Sequence, residues 1–137
     1  MIGTEAEDAF VSEHRWAVLT TLRKSGAASS SLVAYGRHGD DLLISTRSIF
    51  GKVKMLERDA RITLCIISNE EPFNFLTVEG RAGIERDLAA ILGPTRQVFA
   101  ALKAINYPEP DDLPKWLESQ GRVILRVRAE KVYGVQR

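Results

Sequence analysis

The sequence predicts a mainly β domain with flanking helices (α+β): a six-stranded antiparallel sheet closed into a small barrel. Three observations predict it. Short runs rich in β-branched and apolar residues recur with turn residues between them. Most connections between these runs are short, which favours antiparallel pairing. Gly80 and Gly83 lie inside an otherwise strong strand, where glycine marks the bulges and bends that small barrels need. Closure also removes vulnerable strand edges. The chain has 137 residues, with no internal repeat, low-complexity tract or linker, and reads as one domain over 1–137.

In order, residues 5–14 are expected to form a helix with Ala6, Ala9 and Phe10 apolar; Thr4 as N-cap and Glu7 form a capping box. Trp16 to Leu22 is a strand, apolar on both faces. Lys24-Ser25-Gly26 turns the chain into a second strand, Ala28 to Tyr35. Its serines Ser29, Ser30 and Ser31 fall on both faces, so at least one points inward or at a ligand. Arg37 to Asp40 is a hairpin turn into a strand from Asp41 to Ser45. A helix is expected over 51–58, with Val53 and Leu56 on one side, then a strand from Arg61 to Ser68 broken at Asn69–Pro72. Phe75 to Ile84 is a strand, and Thr95 to Asn106 a helix with Pro94 just before it. Tyr107 to Pro114 is an acidic, proline-rich loop, and Pro114 to Ser119 one helical turn. Arg122 to Arg128 alternates as a half-exposed strand, with Val123, Leu125 and Val127 inward. Tyr133 to Val135 extends the sheet after a break.

The stretch from Ile44 to Lys54 is the candidate site. An apolar run turns polar at Ser45, Thr46 and Ser48, and a helix follows. With Ser48 as N-cap, Lys52 falls in or near its first turn. Helix N-termini carry unpaired N–H groups and partial positive charge, so they attract anions. Three hydroxyls and a lysine there suit a phosphate.

Other chemistries find little support. A formal net charge of +1 does not argue for nucleic acid. The acidic N-terminal stretch is unlike a signal peptide and no apolar run approaches a membrane span, so a cytoplasmic protein is expected. Nucleotide-binding glycine motifs and a nucleophile elbow are missing. His14 and His38 have no metal-ligand spacing, so no metal site is expected. Asp40-Asp41, Glu70-Glu71 and Asp111-Asp112 fall at turns, as backbone preferences explain. Cys65, the only cysteine, is expected in the core. No side chain is therefore assigned a catalytic role. Redox chemistry stays open, because a bound cofactor can carry it.

Taken together, several segments resemble the pyridoxamine 5′-phosphate oxidase-like split β-barrel family. Ala17 to Gly26 is similar to its opening strand and turn, and Ser30 to Tyr35 to the strand lining the flavin. Leu42 to Thr46, Lys52 and Leu56 to Arg61 resemble its strand–lysine–helix pattern. Val78-Glu-Gly-Arg-Ala82 resembles its V-x-G-x-A strand, and Val123 to Gly134 its closing strand. The resemblance implies a barrel that binds FMN or the deazaflavin F420. The phosphate would lie at Lys52, with Arg47 or Lys54 assisting, and the ring against Ser30, Ser31, Leu32 and Val33 and against Ser45 and Thr46. Phe50 stands where many members have arginine, and Ala60 follows Asp59 in place of a frequent proline. The Arg-x-His of true pyridoxamine phosphate oxidases is missing near the C-terminus, so that specific activity is not expected.

The span 47–61 holds five basic residues (Arg47, Lys52, Lys54, Arg58, Arg61) against Glu57 and Asp59. Read as a groove for an anionic tail, it favours F420, whose oligoglutamate FMN lacks. The expectation is an F420-dependent oxidoreductase passing hydride to a planar, electron-poor small molecule. An FMN enzyme or a non-catalytic module for planar ligands is the alternative. A small barrel offers a large ring only a shallow groove, so a homodimer with shared cofactor sites is expected.

Overall fold

The computed structural model describes residues 1–70 and 72–137; Glu71, half of one acidic pair, lies outside the described residues. Among the described residues, seven strands form one antiparallel sheet: β1 (Trp16–Leu22), β2 (Ala28–Ala34), β3 (Gly36–His38), β4 (Asp41–Arg47), β5 (Arg61–Ile67), β6 (Phe75–Glu85) and β7 (Arg122–Val135). Their order is β2-β1-β5-β6-β7-β4-β3. The helices are α1 (Glu5–Glu13), α2 (Gly51–Arg58), α3 (Leu88–Leu102) and α4 (Leu113–Gln120), with a 3₁₀ turn at Lys103–Ile105.

The seventh strand is β3, which the sequence hid inside the Arg37–Asp40 turn. It pairs with β4 through a two-residue loop, Gly39-Asp40, with His38 opposite Asp41. Gly39 has φ +58°, the left-handed value that this first loop position favours in glycine. β2 and β3 are adjacent in sequence yet form opposite edges of the sheet, joined through Tyr35 alone. A flat sheet of seven strands would hold those edges roughly 29 Å apart, whereas a one-residue link lets its two flanking residues separate by at most about 7 Å. The link therefore forces the sheet to curl into a split barrel. Tyr35 anchors the seam, its hydroxyl donating to the Val11 carbonyl at 2.7 Å and its N–H to the Arg15 carbonyl at 3.0 Å.

Two apolar clusters lie on the two faces of the curled sheet. Leu19, Val33, Leu42, Ile44, Leu64, Leu76, Leu125 and Val127 fill the interior, joined by Phe10 and Val11 of α1 and Leu56 of α2. Leu43 and Ile124, on the outer face of β4 and β7, pack against Ile91, Val98, Phe99 and Leu102 of α3 and Leu113 and Leu117 of α4. The β7 alternation therefore holds, but at Ile124 the outer side meets helices instead of water. Gly36 permits close packing: a Cβ there would sit 2.8 Å from the α3 backbone at Gln97 and Val98.

Several boundaries differ from expectation. α3 begins seven residues earlier than predicted, with Asp87 as N-cap accepting from the Ala90 N–H and Pro94 inside the helix. The Pro94 ring cannot donate, and read alone it looks like a helix start. Including the 3₁₀ turn, Leu88–Ile105 is long and apolar enough to cross a membrane by length and composition alone, a test that a core helix of a globular fold also passes. In this fold Ile91, Thr95, Val98, Phe99 and Leu102 of that stretch are buried. The segment 113–120 makes an eight-residue helix, longer than the single turn foreseen. β7 is unbroken, and its irregularity is a bulge: Glu79 faces Lys131 while Gly80 faces Ala129, leaving Glu130 unmatched. Cys65 is only half-buried, on the outer face of β5, because Leu64 and Ile66 take the interior positions. The capping box of α1 forms as predicted.

Candidate functional site

A cleft of about 320 Å³ opens where the ends of β4 and β7 meet α2, α3 and α4. Its apolar side is made by Leu32, Val33 and Ala34 of β2, Trp16 of β1, and Val98, Phe99 and Leu102 of α3. Tyr107 and Trp116 complete that wall from their own chain. Tyr107 stacks on Phe99 at 6.2 Å between ring centroids, and Trp116 meets Phe99 edge-on at 5.6 Å. The polar side holds Ser45, Thr46, Lys52 and Arg122.

The polar groups converge because of strand parity and a helix start. Ser45 and Arg47 face outward on β4, opposite Ile124 and Arg122 of β7. α2 then begins at Gly51, so Lys52 is its second residue. The N-cap is Phe50, not Ser48, and no side chain caps the helix. Ser48 instead donates its backbone N–H to the Gly121 carbonyl at 2.8 Å, which ties it to the end of α4. The first turn of α2 thus has no side-chain cap and no acidic residue; Val53 donates its N–H to the Phe50 carbonyl at 3.1 Å, which leaves the Gly51 and Lys52 N–H groups for an anion.

Charge is unbalanced here. Among the described residues, no carboxylate lies within ion-pair distance of Arg47, Lys52 or Arg122. Arg47 donates to the Gln120 carbonyl at 3.1 Å, and Arg122 to the Gln120 side-chain oxygen at 3.0 and 3.3 Å. The Arg122 guanidinium lies 4.5 Å from the centre of the Trp116 ring. Burial and then the Arg122 charge lower the pKa of Lys52. Burial and then the Arg47 charge do the same to Arg122. The Ser45 hydroxyl is buried and has no hydrogen-bond partner among the described residues. Buried polar atoms are rarely orphaned, so each exception asks for an explanation. A phosphate-bearing planar molecule fits this donor set: cations and N–H groups for the phosphate, a hydroxyl beside it, and aromatic and aliphatic surface for the ring.

The other predicted residues are distributed unevenly. Leu32 and Val33 line the cleft, and Arg47 borders it through Phe50, its guanidinium 5.8 Å from a ring that also lies 5.9 Å from the Lys52 ammonium. Ser30 is exposed and bonded to Thr20 at 3.0 Å, and Ser31 is half-buried on the opposite face; neither lines the cleft. Lys54 is exposed on α2 and does not line it either. Arg58 donates to the Leu22 carbonyl, and Arg61 pairs with Asp59, whose carboxyl it draws down to about 2. The basic run therefore disperses: only Lys52 of it lines the cleft, with Arg47 at its border. Arg122 replaces the rest. Sequence reading assigned it to the solvent side of β7, and the available signal was an arginine in the outward register beside a strand end.

No curated protein matches this chain. Among solved structures, a conserved hypothetical protein of Mycobacterium tuberculosis superposes with a TM-score of 0.79 at 22% identity, over 98% of this chain and 85% of that one. An F420 reductase gives 0.72 at 18% identity, over 95% and 98%. The haem storage protein of Vibrio cholerae gives 0.71 at 17%, over 92% and 89%. These likenesses establish the shared barrel. The family model for pyridoxamine 5′-phosphate oxidase matches residues 4–136, which is nearly the whole chain, and this protein belongs to that family.

Proposed function

We propose that this protein is an F420-dependent oxidoreductase that passes hydride to a planar, electron-poor small molecule. The observation that carries the reading is the cleft with Lys52, Arg47 and Arg122 unpaired by any carboxylate beside the orphaned Ser45 hydroxyl. Lys52 and the α2 N-terminus hold the cofactor phosphate, and Leu32, Val33 and the Phe99–Trp116 wall hold the ring. A deazaflavin bound there supplies the hydride chemistry. The protein contributes orientation and exclusion of water, with no covalent or acid–base step on its own side chains.

FMN is the second reading, and one observation favours it: the dispersed basic run leaves a single cationic cluster, enough for one phosphate without a tail. Expression in an F420-producing host and titration with both cofactors separate the two. Blue fluorescence and F420 binding that weakens with salt are expected, because exposed charge pairs are screened. Yellow protein with micromolar FMN affinity and no F420 binding at low salt would reverse the order. Oxidation of bound reduced cofactor by a quinone separates an enzyme from a carrier.

The working unit in this reading is a homodimer with two shared cofactor sites. Leu32 lines the cleft yet is 62% exposed, at the corner of an outer sheet face that no helix among the described residues covers. Val18, Cys65, Ile67, Phe75 and Tyr133 continue that face across β1, β5, β6 and β7. A second copy seated there supplies the missing side of the cleft.

A further inference from the structure

The facing arginines of β4 and β7 find no explanation inside the chain. Arg47 and Arg122 stand directly opposite in the register, where like charges are destabilising. Their shared protein partner, Gln120, is neutral. Further along the same two strands the charges are balanced: Asp41 stands opposite Arg128, 3.9 Å away, and pairs diagonally with Arg126 at 3.1 Å. At the cleft end, no carboxylate among the described residues pairs with Arg47 or Arg122. Lys52 adds a third positive charge to the same cleft lining as Arg122 and the unpartnered Ser45 hydroxyl.

We infer that Arg122 is an anion-binding residue of this cleft, and that the Arg47–Arg122 pair is a repulsion in the free protein which a bound phosphate ester relieves. The inference rests on reading the cleft as the site of a phosphate-bearing cofactor. It adds two properties. The site selects for the phosphate more than for the ring, because the charges gather at one end. The free protein is also less stable than its packing allows, since three cations are held together without a counter-ion.

The test compares the wild type with Arg122→Gln in low salt, by thermal melts with and without inorganic phosphate. Cofactor titrations pair FMN with riboflavin, and F420 with its phosphate-free ribityl deazaflavin core. Without ligand, the variant is expected to melt higher than the wild type. Phosphate is expected to raise the wild-type Tm by about 2–5 °C and the variant's by much less. Affinity for the phosphorylated member of the pair that binds should fall about ten- to a hundredfold in the variant, with its phosphate-free partner unchanged. Equal loss for both partners would make Arg122 a shaping residue only and overturn the inference, as would no loss for either. A wild type that binds none of the four flavins would remove the cofactor reading. The phosphate melts would still decide the repulsion, and a wild-type Tm insensitive to phosphate would overturn it. Should Arg122→Gln fail to fold, Arg47→Gln removes the other half of the pair and carries the same expectations.

Discussion

Lys52 is where one side chain decides most. Its replacement by alanine removes a charge-assisted contact worth about 1.5–3 kcal/mol, so cofactor affinity should fall roughly ten- to a hundredfold. Calorimetric titration of the folded variant checks this, and an unchanged dissociation constant would remove Lys52 from the site. Its depressed pKa makes a second prediction. In the folded protein Lys52 gives up its proton at lower pH than in the unfolded chain, where the value is near 10.5. Just below that value the unfolded state binds more protons, so the ligand-free protein gains stability from Lys52 as pH rises through the window. Cofactor binding runs the opposite way, because only the ammonium form holds the phosphate. Melts across this window with and without FMN or F420 should show the stabilising shift shrinking as pH rises, and a Lys52→Met variant should lack that trend. Lys52, Ser45 and Thr46 were legible because a strand end meeting a helix start is a local signal. Arg122 was not: its partner Arg47 lies far away in sequence, and strand alternation alone assigns it to water. Ser30 was misleading for a related reason, since alternation shows that neighbouring serines part company but not which face a ligand takes.

Among the elements, α3 depends on one glycine. The Gly36→Ala methyl would press on the Gln97–Val98 backbone at 2.8 Å, and backbone cannot rotate away as a side chain can. A loss of about 1–3 kcal/mol is expected in denaturant unfolding. Cofactor affinity should weaken as well, because Val98 and Phe99 lie on the same helix and wall the cleft; an unchanged midpoint would mean that β3 and α3 part freely. Gly121 is the other sensitive position. It ends α4 with φ +61°, and its carbonyl receives the Ser48 N–H. Gly121→Ala should cost about 1–2 kcal/mol and disturb Arg122 beside it, as unfolding and titration would register. The sequence displayed α1 and α2 well because their caps and apolar spacing are local. It concealed the first half of α3, since Pro94 resembles a start, and the β7 bulge, since a bulge depends on the register of a partner strand.

At the scale of the molecule, the barrel was legible from runs and turns, but strand order was not, because pairing between distant segments leaves no local trace. β1 pairs with β5 and β4 with β7 across long stretches of chain. The shared-site dimer is tested by sedimentation at low micromolar concentration. The wild type should sediment as a dimer. Leu32→Asp should give monomers with weakened cofactor binding, whereas a monomeric wild type with full affinity would return the whole pocket to one chain. The one-residue seam at Tyr35 also has a consequence for how the protein is made. As the chain is synthesised, the β1–β2 and β3–β4 hairpins emerge early, already tied at the position they keep. The inner edges of β1 and β4 then wait for β5 and β7, and β7 is the last of the seven strands to appear. Until it inserts between β6 and β4, hydrophobic strand edges stand open to other nascent chains. A polypeptide ending before Arg122 is therefore expected to aggregate instead of settling into a smaller barrel, a difference that simple pelleting would reveal.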